Sequence, residues 1–118
     1  TYSSRVFKFS TEFLNKKIRY CGDGILFSTP IGSKAYNLSL DGPIIEGNIP
    51  CFIMNPIAPF HSSTIKYVFS KDVRVKLKIE DAKVPVYLNA DGQRELRLKK
   101  GNTFTIELIE NLFSFLIP

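Results

Sequence analysis

Strict alternation of apolar and charged residues constrains the fold of this chain more than any other feature. Val73, Val75, Leu77 and Ile79 take every second position, with Arg74, Lys76 and Lys78 between them. Only an extended strand, whose successive side chains point to opposite faces, turns that pattern into one dry side and one wet side. Segment 5–13 behaves the same way, with Phe7, Phe9 and Phe13 separated by Lys8, Ser10 and Glu12. Shorter runs at 18–21, 25–27, 84–89, 95–98, 104–109 and 112–117 read as further strands, with Asn15-Lys16-Lys17 as the turn between the first two. One stretch departs from this rule. Ser33 suits a helix N-cap and Gly42-Pro43 a stop, so the residues between them predict a short helix of about two turns. Many strands and one small helix predict an all-β fold, a β-sandwich of two sheets with one short helix.

A length of 118 residues fits one domain, and 44% apolar residues, including ten Phe and five Tyr, suffice for a core. No apolar run approaches the roughly 20 residues of a membrane-spanning helix, so no membrane partner and a cytoplasmic location are expected. The net charge of +5 points only weakly to an anionic partner. Its densest groups, Lys16-Lys17-Arg19 and Arg94 to Lys100, are interleaved with apolar or acidic residues, which favours a solvated surface. Cys21 and Cys51 are too few and too far apart for a zinc pattern, and read as two reduced thiols. A single histidine, His61, argues against a histidine-rich metal site and gives no support for a catalytic triad.

The most distinctive segment runs Gly22-Asp23-Gly24-Ile25-Leu26-Phe27-Ser28-Thr29-Pro30-Ile31-Gly32-Ser33-Lys34-Ala35-Tyr36-Asn37-Leu38-Ser39. It reads as a strand between two glycine-containing turns, leading into a helix start. Small residues let a ligand approach the backbone, and free N–H groups at a helix start hold anions or carbonyls. Asp23, Ser28 and Ser39 could hydrogen-bond the sugar or amide parts of a nucleotide, beside the ring of Tyr36. A turn plus a capped helix, with Tyr36 in the core, explains the same residues equally well.

The segment also resembles the signature of the NAD kinase family, Gly-Asp-Gly, three apolar residues, then Ser-Thr-Pro-x-Gly-Ser-Thr-Ala-Tyr. Asp41-Gly42-Pro43-Ile44-Ile45 is similar to the family's following Gly-Pro step. Asn55-Pro56-Ile57-Ala58-Pro59 resembles its Pro-Ile-x-Pro element, and Asp91-Gly92-Gln93 its late Asp-Gly-Gln turn. Order and spacing agree across about 23–118. The resemblance implies the family's C-terminal, substrate-binding domain, spanning 1–118, as a piece of a longer protein. In that family the 2′-hydroxyl of NAD's adenosine ribose attacks the terminal phosphate of ATP, or of polyphosphate, to give NADP. The donor, its Mg2+ and the catalytic base, the aspartate of a Gly-Gly-Asp-Gly motif, belong to an N-terminal α/β domain. No catalytic residue and no metal ligand is therefore expected in this chain, and alone it is expected to be inactive.

Carried over residue by residue, the resemblance implies that Asp23, Lys34, Ala35, Tyr36 and Ser39 bind NAD, with Asp91 and Gln93 as further contacts. Arg5 corresponds more loosely to a basic residue of the first strand that touches substrate. The family also implies a homo-oligomer, a dimer or tetramer. Three departures stand out. Lys34 replaces a threonine, and either reaches a phosphate of the dinucleotide or points to water. Phe60-His61 follows Pro59 where many members have His-Ser, and Ile65-Lys66 replaces a usual Arg-Pro. Cys21 occupies a position that is polar or basic in some members. The competing hypothesis is a non-enzymatic basic β module that binds single-stranded nucleic acid or a protein through cations interleaved with aromatics.

Overall fold

The computed structural model describes residues 7–30, 41–57, 59, 62–82, 86–90, 94–109 and 112–116; side chains are described within 8–30, 41–57, 59, 62–81 and 99–109. These residues form ten strands: β1 (Phe7–Phe13), β2 (Lys16–Gly22), β3 (Gly24–Ser28), β4 (Cys51–Ile57), β5 (Tyr67–Ser70), β6 (Val75–Ala82), β7 (Val86–Ala90), β8 (Arg94–Leu98), β9 (Thr103–Ile109) and β10 (Leu112–Leu116). They make two five-stranded sheets, ordered β10-β9-β6-β1-β2 and β5-β4-β3-β7-β8. Every pairing is antiparallel except β3 with β7, which run parallel. The helix expected between Ser33 and Gly42 falls on 31–40, outside the described residues.

The two sheets face each other across one apolar core, as a sandwich requires. From the first sheet come Phe9, Phe13, Tyr20, Val75, Leu77, Ile79, Phe104 and Ile106, and from the second Ile25, Phe27, Phe52, Met54 and Phe69. The alternation at 73–79 is thus real: Val75, Leu77 and Ile79 are fully buried while Lys76 and Lys78 face solvent. Rings bridge the sheets where β1 meets β5. Phe13 lies edge-on to Tyr67 at 4.9 Å and to Phe69 at 4.7 Å between centroids. Such aromatic pairs add attraction beyond the area they bury.

The wet face of the first sheet carries much of the positive charge, and acidic neighbours offset part of it. Lys17 approaches Glu12 and Arg19 approaches Glu80 at 4.0 Å, while Arg74 pairs with Glu107 at 2.8 Å. Exposed pairs of this kind contribute little to stability. They do break up the field that a polyanion would follow, in line with a solvated surface.

The structure moves the first turn and adds two strands. Leu14 and Asn15, at φ of 46° and 63°, make a two-residue hairpin, so β2 begins at Lys16 rather than after Lys17. Two-residue hairpins favour positive φ at both central positions because that matches strand twist. An apolar Leu14 hides the signal. β4 and β5 carry no clean alternation: β4 has Asn55-Pro56 within it and is buried on both faces, and β5 has only four residues. Opposite the core, Leu26, Ser28, Cys51, Ile53 and Asn55 are buried as well. A strand buried on both sides reads as a continuous apolar run, which periodicity alone does not separate from a helix.

One core residue makes the fold sensitive to alkali. Tyr20 is 3% exposed and stacks on Phe9 at 5.1 Å. Burial, with a smaller contribution from Tyr67, pushes its phenol up to about 12, and nearby Thr11 pulls weakly the other way. Among the described residues neither the Tyr20 hydroxyl nor the Thr11 hydroxyl has a hydrogen-bond partner of good geometry. The folded phenol thus holds its proton where an unfolded one, near pH 10, has released it. This contribution to stability is complete below about pH 10 and is lost as pH rises toward 12. Urea unfolding from pH 8 to 11.5 is expected to show the loss, and Tyr20→Phe to remove that slope. An unchanged slope in the variant would assign the loss to other groups.

Candidate functional site

Asp23 marks the point where the chain leaves one sheet for the other. β2 ends at Gly22 in the first sheet and β3 starts at Gly24 in the second, leaving Asp23 alone between them. Two hydrogen bonds fix this step. The Asp23 backbone N–H donates to the Ile57 carbonyl at 3.0 Å, and the Ser62 hydroxyl donates to the Cys21 carbonyl at 2.9 Å. The Asp23 side chain is exposed, and among the described residues no hydrogen bond or ion pair engages its carboxylate. Its backbone is held while its carboxylate is exposed and takes part in no ion pair among the described residues, which leaves its oxygens able to accept hydrogen bonds.

Gly24 begins β3 against β4. A Cβ there would meet the Ile57 Cδ1 at 3.5 Å, an ordinary contact, so packing among the described residues does not require a glycine. Ser28 ends the strand and is 1% exposed, with Thr29 next at 7%. The Ser28 hydroxyl, which the sequence offers as a hydrogen-bonding group for a nucleotide, is therefore buried.

The parallel pairing of β3 with β7 joins two distant sequence elements. Leu26 is opposite Asn89 and Phe27 opposite Ala90, and Ala90 pairs in turn with Arg94 on β8. The backbone thus enters and leaves 91–93 beside the end of β3 that carries Ser28-Thr29-Pro30. Asp23 stands at the opposite end of the five-residue β3, about 16 Å away by the rise of a strand. Of the residues expected to bind NAD, the structure describes Asp23 alone. Arg5, Lys34, Ala35, Tyr36, Ser39, Asp91 and Gln93 lie outside the described residues, as does His61.

Both cysteines are free thiols. Cys51 is buried, and that burial pushes its thiol up, which keeps it protonated and unreactive. Cys21 is half-buried and lines a shallow cleft with Lys8, Arg19, Ser62 and Glu80. Among the described residues no group of His, Cys, Asp and Glu could hold a metal ion, and no helix is long and apolar enough to cross a membrane. Ser62 is the residue that sequence reasoning missed. It sits 41 positions from Cys21, in no recognisable pattern, and only the fold brings them together.

Comparison with known proteins matches residues 3–116 to the ATP-NAD kinase C-terminal domain. The bifunctional NADP phosphatase/NAD kinase of Methanocaldococcus jannaschii is 46% identical over 85 residues, covering 72% of this chain and 15% of that protein. An NAD kinase of Geotalea daltonii is 31% identical over 108 residues, covering 91% of this chain and 38% of its own length. Among solved structures, an NAD kinase from Archaeoglobus fulgidus in complex with ATP superposes with a TM-score of 0.72 at 30% identity. That match covers 97% of this chain and 43% of the other. A yeast NADH kinase complexed with NADH shares the fold, at a TM-score of 0.74 and 23% identity, over 96% of this chain and 33% of its own. The chain spans less than half the length of each of these relatives.

Proposed function

The chain belongs to the NAD kinase family, as that family's C-terminal domain, and we propose that it supplies the NAD-binding part of an enzyme that makes NADP. In this reading the full-length protein transfers a phosphoryl group from ATP or polyphosphate to the 2′-hydroxyl of the adenosine ribose of NAD. The observation that carries the proposal is the exposed Asp23 at the crossover between sheets, its backbone held by Ile57 and its carboxylate turned to solvent. ATP in the Archaeoglobus relative supports ATP as donor here, and the NAD kinases of Methanocaldococcus jannaschii and Geotalea daltonii support NAD as acceptor.

Asp23 serves as a hydrogen-bond acceptor for a hydroxyl or amide of the dinucleotide, not as the base that takes the ribose proton. Lys34, Ala35, Tyr36 and Ser39 follow β3, and Asp91 and Gln93 follow β7, so the register of the two parallel strands supports one shared site for them. Arg5 is assigned to the same substrate. The donor phosphates, Mg2+ and the catalytic base belong to an N-terminal α/β domain. Positioning and charge neutralisation dominate phosphoryl transfer, so this domain contributes the first and the other domain most of the second. Assembly as a homo-oligomer, dimer or tetramer, and a cytoplasmic location complete the proposal. Family membership favours it over the basic module for single-stranded nucleic acid or a protein.

A kinase assay on two proteins tests the division of labour. The full-length protein is expected to form NADP from NAD and ATP, and the purified 118 residues to form none. Turnover by the 118 residues alone would place the donor site within them and overturn the reading.

A further inference from the structure

We infer that Ser62 is a positioning residue for the dinucleotide site, holding the Asp23 turn through the carbonyl of Cys21. The inference rests on the reading of Asp23 as an NAD anchor and adds a residue that no motif marks. Among the described strands β2 is the outer one of its sheet, with β1 as its one neighbour. An outer strand leaves alternate carbonyls without a ladder partner, and such oxygens take water or a side chain instead. At Cys21, two residues before Asp23, the partner is the Ser62 hydroxyl at 2.9 Å in a half-buried setting.

The second bond lies just beyond. The Asp23 N–H donates to the Ile57 carbonyl at 3.0 Å. The chain at 57 and the chain at 62 thus grip the backbone at 23 and at 21, one on each side of Gly22. Either bond alone leaves a two-residue step free to rotate; together they set the direction in which Asp23 leaves the sheet. Ile57 contributes through its backbone and is indifferent to side-chain identity. Ser62 contributes through its hydroxyl, which makes it the component that substitution can remove. A site held in advance avoids an ordering cost on binding, so loss of the clamp falls on NAD affinity.

The test uses the full-length enzyme with Ser62→Val and Ser62→Thr, which have nearly the same shape and differ in the hydroxyl. A hydrogen bond of this kind corresponds to a change of roughly three- to ten-fold. Ser62→Val is expected to raise the KM for NAD by about five-fold and leave the KM for ATP within about two-fold, with Ser62→Thr near the parent enzyme. Ser62→Ala, which adds no bulk, is expected to follow Ser62→Val. Equal effects of Val and Thr, or equal changes in both KM values, would overturn the inference. Asp23→Asn measured alongside separates the two levels. A raised KM for NAD in Asp23→Asn with none in Ser62→Val and Ser62→Ala defeats the clamp alone. No change in any of them defeats the reading of Asp23 itself.

Discussion

Replacing Asp23 with Asn in the full-length enzyme is expected to raise the KM for NAD about ten-fold, from the difference between a hydrogen bond to a charged acceptor and one to a neutral acceptor. The KM for ATP and the thermal midpoint should stay close to the parent values. The physical basis is the contrast between the two parts of the residue. Its backbone N–H is committed to Ile57, which Asn retains, and its carboxylate is exposed with no described protein partner. Nothing among the described residues depends on the charge, so its removal is expected to be felt where a ligand hydroxyl or amide would donate to it. Asn preserves the shape and one acceptor oxygen, which isolates the charge from the geometry. Steady-state kinetics with NAD and ATP varied in turn, together with a thermal melt, checks each part. A fall in the melting midpoint with equal losses for both substrates would make Asp23 a structural residue.

The largest effect on stability is expected at Phe52. Its side chain is fully buried, 5.3 Å from the Phe69 ring and 6.5 Å from Phe27 by centroid. It stands on β4, and its cross-strand partner on β5 is Phe69. Phe52→Ala removes most of a ring from the middle of this aromatic row, and strands on both sides prevent the backbone from closing the gap. Lost transfer free energy and the cavity together are expected to destabilise the domain by about 3–5 kcal/mol. For a domain of ordinary stability that is a large part of the total. Urea unfolding measures it, and a loss below about 1 kcal/mol would show that the sandwich core can collapse around the missing ring.

What the sequence displays depends on how each strand is wetted. β1, β6 and β9 belong to a sheet with one solvated face, so Phe9, Leu77 and Ile106 alternate with polar residues and their strands are plain in the sequence. β4 lies inside the second sheet, between β5 and β3, with both faces covered, and Phe52-Ile53-Met54 therefore shows no period. Asn55-Pro56 inside it, a pair that normally speaks for a turn, conceals it further. The β1–β2 hairpin is displaced by two residues for a different reason. Leu14 adopts a positive φ that composition assigns to Asn, Asp or Gly.

The site follows the same division. Gly22-Asp23-Gly24 is legible because small residues flank an acid at a break between strands, and the resemblance to the family signature singles it out. That the break is a crossover between sheets, and that β3 and β7 are parallel neighbours, depends on pairing between residues some sixty positions apart. Local patterning holds no record of such pairing. Ser62 is hidden for the same reason, since a serine among Ser62-Ser63-Thr64 has no local feature that points to Cys21.

The central claim is that this domain recognises a dinucleotide, and calorimetric titration of the 118 residues with NAD tests it most directly. A saturable heat with NAD, about ten-fold weaker in affinity in Asp23→Asn and unmatched by a single-stranded oligonucleotide, is the predicted result. No response to NAD, with a salt-dependent affinity for the oligonucleotide, would contradict the account and return the chain to the class of basic β modules.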